Sequence, residues 1–292
     1  MFKGKTSAFY TLGCKLNFSE SSTISRQLNE IGFTKNKFND GADLYVINTC
    51  SVTENANKEC RRLIRKAKKI SPDSFVVITG CFAQLKPKAI SEMEGVDMVL
   101  GANDKFNLPN LLKDLENKKE GVIHGCEITD LNYTSSFSLE ERTRSFLKIQ
   151  DGCDYPCTYC TIPLARGKSR CDITENILKN AAEIAQNNIK EIVITGVNIG
   201  EFRDGKKRFA DLTKELENVK GIERYRISSI EPNLITDEII ETVKTSKKFM
   251  PHFHIPLQSG SDEILGKMKR RYRTDLYKNK VEKIVSEIPD VC

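Results

Sequence analysis

The chain has 292 residues, 39% of them hydrophobic and 29% charged, a net charge of +6 and ten cysteines. That length accommodates two domains with their own cores, and no apolar run approaches the ~20 residues of a membrane-spanning helix. The start, Met1-Phe2-Lys3-Gly4-Lys5, leads into a short strand-like segment and not a signal-peptide core, so the expectation is a cytoplasmic protein without a membrane partner, in which disulfides seldom persist and ten cysteines point to metal or redox chemistry.

In chain order, candidate strands fall at residues 8–12, 44–48, 75–79 and 98–100. Between the first two, Ile24, Leu28 and Ile31 recur at helical spacing, and Gly32 sits where a helix C-cap belongs. Between the next two, Cys60, Leu63, Ile64, Ala67 and Ile70 form an apolar stripe, which assigns Cys60 to the core. Strand–helix–strand alternation predicts an α/β fold, here an open, mostly parallel sheet. Leu12-Gly13-Cys14, Asn48-Thr49-Cys50 and Thr79-Gly80-Cys81 each place a cysteine just beyond a predicted strand. In a parallel sheet those ends share one edge, where ligand crevices form. Cys14, Cys50 and Cys81 are therefore a candidate three-thiolate metal site, with Gly13 and Gly80 allowing close backbone approach. The alternative is three cysteines buried as small hydrophobes.

Residues 119–138 read as a connection; 133–138 are polar and aperiodic. A second α/β series follows, with strands at 146–150, 192–195, 225–229 and 252–256. Helical stripes separate them: Ile177, Ala181 and Ile184; Leu212, Leu216 and Val219; Ile239, Ile240 and Val243; then Tyr277, Val281, Ile284 and Ile288. Such βα repeats predict a partial barrel with function at the C-terminal strand ends. The sequence stops where a further strand is expected, so the reading is a C-terminally truncated barrel. His252 and His254 alternate along one strand and read as structural.

Cys153-Asp154-Tyr155-Pro156-Cys157-Thr158-Tyr159-Cys160 follows the first strand of this series. Three thiolates at CxxxCxxC spacing suit three corners of a cubane iron–sulfur cluster whose fourth iron stays open, whereas an electron-transfer ferredoxin uses four. A structural zinc completed by Cys171 is the competing reading. Cys126, Cys171 and Cys292 otherwise carry no assignment.

The CxxxCxxC run resembles the signature of radical S-adenosylmethionine (SAM) enzymes. Together with Leu12-Gly13-Cys14, Ile47-Asn48-Thr49-Cys50 and Thr79-Gly80-Cys81 it resembles the methylthiotransferases over essentially the whole chain. Tyr10-Thr11-Leu12-Gly13-Cys14-Lys15-Leu16-Asn17 is similar to the branch acting on N6-threonylcarbamoyladenosine at position 37 of tRNA. The resemblance implies a methylthiotransferase domain at 1–118 with an auxiliary cluster, a linker at 119–138 and a radical SAM core at 139–292. It implies two [4Fe–4S] clusters, one on Cys153, Cys157 and Cys160 that reduces SAM to a 5′-deoxyadenosyl radical, and one on Cys14, Cys50 and Cys81 that carries the transferred sulfur. Gly196, Val197, Asn198, Ser228, Ser229, Glu231 and Gln258 are then the cofactor-binding residues. Arg166, with Lys168 and Arg170, suits the SAM carboxylate or a substrate phosphate. The implied partners are a tRNA anticodon stem-loop, a reducing electron-donor protein and a sulfur source.

Basic residues crowd two places: Lys58, Arg61, Arg62, Arg65, Lys66, Lys68 and Lys69 on one helix, and Lys267, Lys269, Arg270, Arg271 and Arg273 near the end. Each is either an RNA contact or a solvated face. The alternative substrates are isopentenyladenosine in tRNA or a ribosomal protein. The alternative of another class is a noncatalytic zinc or iron–sulfur nucleic-acid-binding module.

Overall fold

A computed structural model describes residues 2–50, 54–113, 122–125, 127–128, 131–139 and 143–292, with backbone alone at 54–57. Cys126 and parts of the expected 119–138 connection lie outside the described residues. The chain forms two compact units, one of Met1–Asn132 with Leu164–Gly167, the other of Tyr133–Pro163 with Lys168–Cys292.

The first unit runs β1 (Thr6–Thr11), α1 (Lys15–Glu30), β2 (Thr34–Asn36), β3 (Leu44–Thr49), α2 (Glu54–Ile70), β4 (Phe75–Gly80), α3 (Cys81–Leu85), α4 (Pro87–Ser91), β5 (Met98–Leu100), α5 (Leu108–Lys113) and β6 (Val122–His124). Its six strands pair in parallel in the order β2-β1-β3-β4-β5-β6. Every residue of β3 is buried, as expected of a parallel strand covered on both faces. Leu44 and Val46 pack with Ile24 and Leu28 of α1 and Leu108 of α5. Tyr45 and Ile47 pack with Cys60, Leu63, Ile64 and Ala67 of α2. The α2 stripe thus lies against the sheet, and burial pushes the Cys60 thiol up to about 12.

The second unit contains β7 (Ser136–Phe137), β8 (Ser145–Lys148), β9 (Gln150–Asp151), α6 (Ile162–Arg166, whose last residues belong with the first unit), β10 (Arg170–Cys171), α7 (Thr174–Gln186), β11 (Glu191–Thr195), β12 (Arg203–Asp204), β13 (Lys207–Arg208), α8 (Phe209–Leu216), β14 (Arg224–Ile227), α9 (Asp237–Thr245), α10 (Asp262–Lys267) and α11 (Thr274–Glu287). Its main sheet has the order β14-β11-β8-β7, parallel except for the β7–β8 pair. Ile177, Ala181 and Ile184 of α7, Leu212 and Leu216 of α8, and Ile239, Ile240 and Val243 of α9 join one core with Leu147, Ile192, Ile194 and Ile227. The Thr236 and Ser261 hydroxyls accept the Ile239 and Ile264 amides and fix the starts of α9 and α10.

Three expectations differ from the structure. The strand at 146–150 is broken: Ile149 still donates to the Thr195 carbonyl, but Gln150–Asp151 turns away to pair antiparallel with Arg170–Cys171. The strand at 252–256 is reduced to the isolated bridge Ser229↔His254, with a second at Tyr225↔Phe249. Pro251 and Pro256 lack amide donors, and the Phe253 amide and Pro251 carbonyl bond to Cys292 instead. The 119–138 connection supplies a strand to each of the two larger sheets, β6 and β7, because Val122–His124 pairs with β5 and buried Phe137 with β8.

Candidate functional site

In the first unit, Thr11, Asn48 and Thr79 stand in register at the C-terminal ends of β1, β3 and β4. Cys14, Cys50 and Cys81 follow those ends, as the strand pattern predicts. Cys14 immediately precedes α1, and Cys81 is the first residue of α3. Gly13 (φ +98°) approaches Cys50 so closely that a Cβ there would stand 2.9 Å from the Cys50 Cβ and 3.0 Å from its Sγ. At Gly80 (φ +95°) a Cβ would meet the Thr49 carbonyl at 2.3 Å. Only glycine fits either position.

Side chains that sequence reasoning missed hold these loops. Buried Asn17 donates from Nδ2 to the Leu12 and Thr49 carbonyls at 2.9 and 3.0 Å, tying the Cys14 loop to the Cys50 loop. Asn48 Nδ2 donates back to the Asn17 carbonyl at 3.0 Å. Glu20, fully buried, meets Lys105 at 2.7 Å and Arg166 at 2.9 Å. Arg166 also donates to Asn17 Oδ1 at 2.6 Å. Arg166 was expected beside the SAM carboxylate or a substrate phosphate; the structure engages its guanidinium in this network within the first unit. Burial pushes the Cys81 thiol up, against the opposing pull of Arg166.

In the second unit the loop after β9 carries Cys153, Cys157 and Cys160, all half-buried. The Tyr155 amide donates to Cys153 Sγ at 3.4 Å, and Arg270 donates to Cys157 Sγ at 3.2 Å while pairing with Glu231. Burial would ease the proton off Arg270, but Glu231 more than offsets this and keeps the guanidinium charged. Arg271 covers the Tyr155 ring at 4.1 Å and donates to the Asp154 carbonyl. Asn233 donates to the Tyr155 hydroxyl oxygen at 2.7 Å. Burial pushes the Cys153 thiol up to about 12 and also raises Cys157, where Arg270 opposes it. A metal bound by these cysteines would displace their protons.

Gln150 links this loop to the neighbouring strand end. Its Oε1 accepts the Val197 and Asn198 amides at 2.9 Å each, and its Nε2 donates to the Gly152 carbonyl at 2.7 Å. At Gly196 a Cβ would stand 2.9 Å from Gln150 Oε1. Asn198 follows β11 and Ser228 follows β14. Among the described residues, both Asn198 side-chain amide atoms and the Ser228 hydroxyl are buried without a hydrogen-bond partner, an arrangement that costs stability unless a polar ligand completes it. Ser229 bridges His254, Glu231 is engaged by Arg270, and Gln258 lies exposed in a left-handed conformation (φ +63°). These residues fit a loop-bound cluster with one adjoining polar ligand.

The zinc reading with Cys171 does not fit. Cys171 directs its thiol to the Glu201 carbonyl at 3.7 Å and packs against the core. Among the described residues no three His, Cys, Asp or Glu side chains are gathered around a position for a single metal ion. The late basic cluster is also occupied internally: Lys267 pairs with Glu263, and Arg273 donates to the Asp262 carbonyl. Arg170 likewise pairs with Asp151, while Lys168 is exposed.

Residues 6–101 match the Uncharacterized protein family UPF0004, and residues 147–292 match the Radical SAM superfamily. The threonylcarbamoyladenosine tRNA methylthiotransferase MtaB of Aquifex aeolicus is 37% identical over 289 residues, covering 97% of this chain and 70% of that protein. The chain belongs to the radical SAM methylthiotransferase family. Another methylthiotransferase, MtaB of Bacillus subtilis, is 38% identical over 98% of the chain and 65% of its own length. The tRNA-2-methylthio-N(6)-dimethylallyladenosine synthase of Clostridium perfringens is 32% identical over 96% of the chain and 65% of its length. The chain thus spans less than two thirds of these last two methylthiotransferases. A solved radical SAM methyltransferase, TsrM from Kitasatospora setae with cobalamin and a [4Fe–4S] cluster bound, shares the fold at TM-score 0.67 and 13% identity, over 97% of this chain and 67% of that one. Radical SAM membership implies S-adenosylmethionine and one [4Fe–4S] cluster. Among the described residues no helix is long and apolar enough to cross a membrane.

Proposed function

We propose that the protein places a methylthio group on C2 of N6-threonylcarbamoyladenosine at position 37 of tRNA, in the cytoplasm, drawing on a reducing electron donor and a sulfur source. What supports this reading is two sets of three cysteines, Cys14, Cys50 and Cys81 after three strands of the first unit and Cys153, Cys157 and Cys160 in the loop after β9 of the second, neither with a fourth cysteine alongside in its loops. When bound, the clusters and S-adenosylmethionine supply the one-electron and sulfur chemistry that no side chain here offers for an aromatic C–H.

The chain's own residues bind and orient. Cys153, Cys157 and Cys160 hold the first cluster, and Arg270 offsets negative charge at Cys157. Gln150 fixes Gly196, Val197 and Asn198 at the strand end. The Asn198 amide and Ser228 hydroxyl, unpartnered among the described residues, are polar groups available to the cofactor, with Ser229, Glu231 and Gln258 around it. Cys14, Cys50 and Cys81 hold the second cluster, and Gly13 and Gly80 let their loops pass close to Cys50 and to the Thr49 backbone.

Identity to the threonylcarbamoyladenosine enzymes exceeds that to the dimethylallyladenosine synthase, 38% against 32%, which favours the first nucleoside. Mass spectrometry of tRNA nucleosides from cells with and without the gene tests it. Selective loss of 2-methylthio-threonylcarbamoyladenosine is the expected result. Loss of the dimethylallyl derivative instead, or no change in either, would overturn the substrate.

A further inference from the structure

We propose that the exposed face of α2 is a docking surface for the phosphate backbone of RNA. This rests on the RNA-substrate reading above and adds to it where the RNA lies on the first unit. Of the seven cations between Lys58 and Lys69, three have partners in the fold. Arg62 pairs with Glu59, Lys68 reaches Asp97 and the Ser74 carbonyl, and Lys66 lies over the Phe38 ring. The other four, Lys58, Arg61, Arg65 and Lys69, are exposed and make no ion pair among the described residues.

Their spacing of three, four and four residues puts them on one stripe of the helix. The stripe lies opposite Cys60, Leu63, Ile64 and Ala67, which face the sheet, so it is the most outward line α2 has. From Lys58 to Ile70 the sole carboxylate is Glu59, and Arg62 occupies it. Like charges one turn apart work against a helix, so folding alone does not account for the stripe. It extends ~16 Å along the axis, a length that meets several successive phosphates. Guanidinium and ammonium groups at that spacing match a polyanion, and arginine adds bidentate geometry for phosphate. The helix starts four residues after Cys50, so an RNA strand on this face lies on the same unit as the candidate sulfur-bearing site. No other basic cluster noted in the sequence is left this free: the one near Arg270 is mostly spent inside the second unit.

The test is binding of a synthetic anticodon stem-loop RNA to the full chain, followed by fluorescence anisotropy across a salt series. The variant carries Lys58→Gln, Arg61→Gln, Arg65→Gln and Lys69→Gln. A control removes four exposed cations from the second unit: Lys179→Gln, Lys206→Gln, Lys220→Gln and Lys247→Gln. At about 0.7 units of log–log salt slope per phosphate contact, the α2 variant should lose close to three units of slope and on the order of 100-fold in affinity near physiological salt. The control and an Arg61→Lys/Arg65→Lys variant should keep both. Melting temperature and iron content, unchanged across the set, separate a lost surface from a lost fold. Equal affinity and slope in the α2 variant and the wild type overturn the surface and leave it to an acidic protein partner. An equal loss in the control reduces it to net charge and also overturns it. No RNA binding by the wild type overturns the RNA-substrate reading itself.

Discussion

Glu20 shows how much of the candidate site rests on single residues. Its carboxylate is fully buried and meets two cations, Lys105 and Arg166, both themselves nearly inaccessible. Glu20→Ala removes the carboxylate that both buried cations share, so denaturant unfolding should show a loss of roughly 3–5 kcal/mol. Gly13 is the second such residue. Gly13→Ala demands a side chain at φ +98° and drives its Cβ against Cys50. Iron analysis should then show loss of about one cluster's complement, four irons, while the Cys153 loop keeps its own; full iron content would refute the close-approach role. The cysteines themselves were legible in sequence because each stands at a fixed offset from a strand or from its neighbours. Their supports were not. Arg166 reaches Glu20 across 146 residues and Arg270 reaches Cys157 across 113, and no local pattern marks such pairs. Arg166 carries that lesson most plainly, since its place after the cysteine motif pointed to the cofactor or a substrate phosphate, and its guanidinium meets Glu20.

The helices and central strands follow from their apolar stripes. On α2, Leu63 is wholly buried against the sheet, so Leu63→Ala should cost about 2–5 kcal/mol by the lost contacts and the cavity left, measured by urea unfolding. The neighbouring basic face should leave stability almost untouched when neutralised. Between β11 and β14, Glu191 pairs with Arg224 at 3.0 Å and Arg226 at 2.9 Å. Burial alone would raise its carboxyl, but the two arginine hydrogen bonds prevail and lower it. A lowered folded value means the stabilisation is present above the unfolded carboxyl range and fades as pH falls through the folded value. The melting-temperature advantage of the wild type over Glu191→Gln should therefore be full at pH 7 and shrink below about pH 4.3. An advantage independent of pH would exclude the ion pair as its source. What the sequence did not show are β2, β6 and β7, with two or three residues each, too short to display a period. The 252–256 segment misled in the opposite direction, because alternation announced a strand while its prolines withheld the ladder.

At the scale of the whole molecule, the chain divides into two α/β units, the first presenting Cys14, Cys50 and Cys81 after the C-terminal ends of parallel strands and the second carrying Cys153, Cys157 and Cys160 in the single loop after β9. That division was legible from the two runs of βα alternation. The boundary was not, because Leu164–Gly167 returns to the first unit from within the second stretch of sequence, and such a return leaves no trace in composition. Two independent thiolate triads are the central claim, and iron content per anaerobically reconstituted chain tests it most directly. The wild type should hold about eight irons, and the Cys14→Ala/Cys50→Ala/Cys81→Ala and Cys153→Ala/Cys157→Ala/Cys160→Ala variants about four each. About four irons in the wild type, with either triple variant leaving that number unchanged, would contradict it.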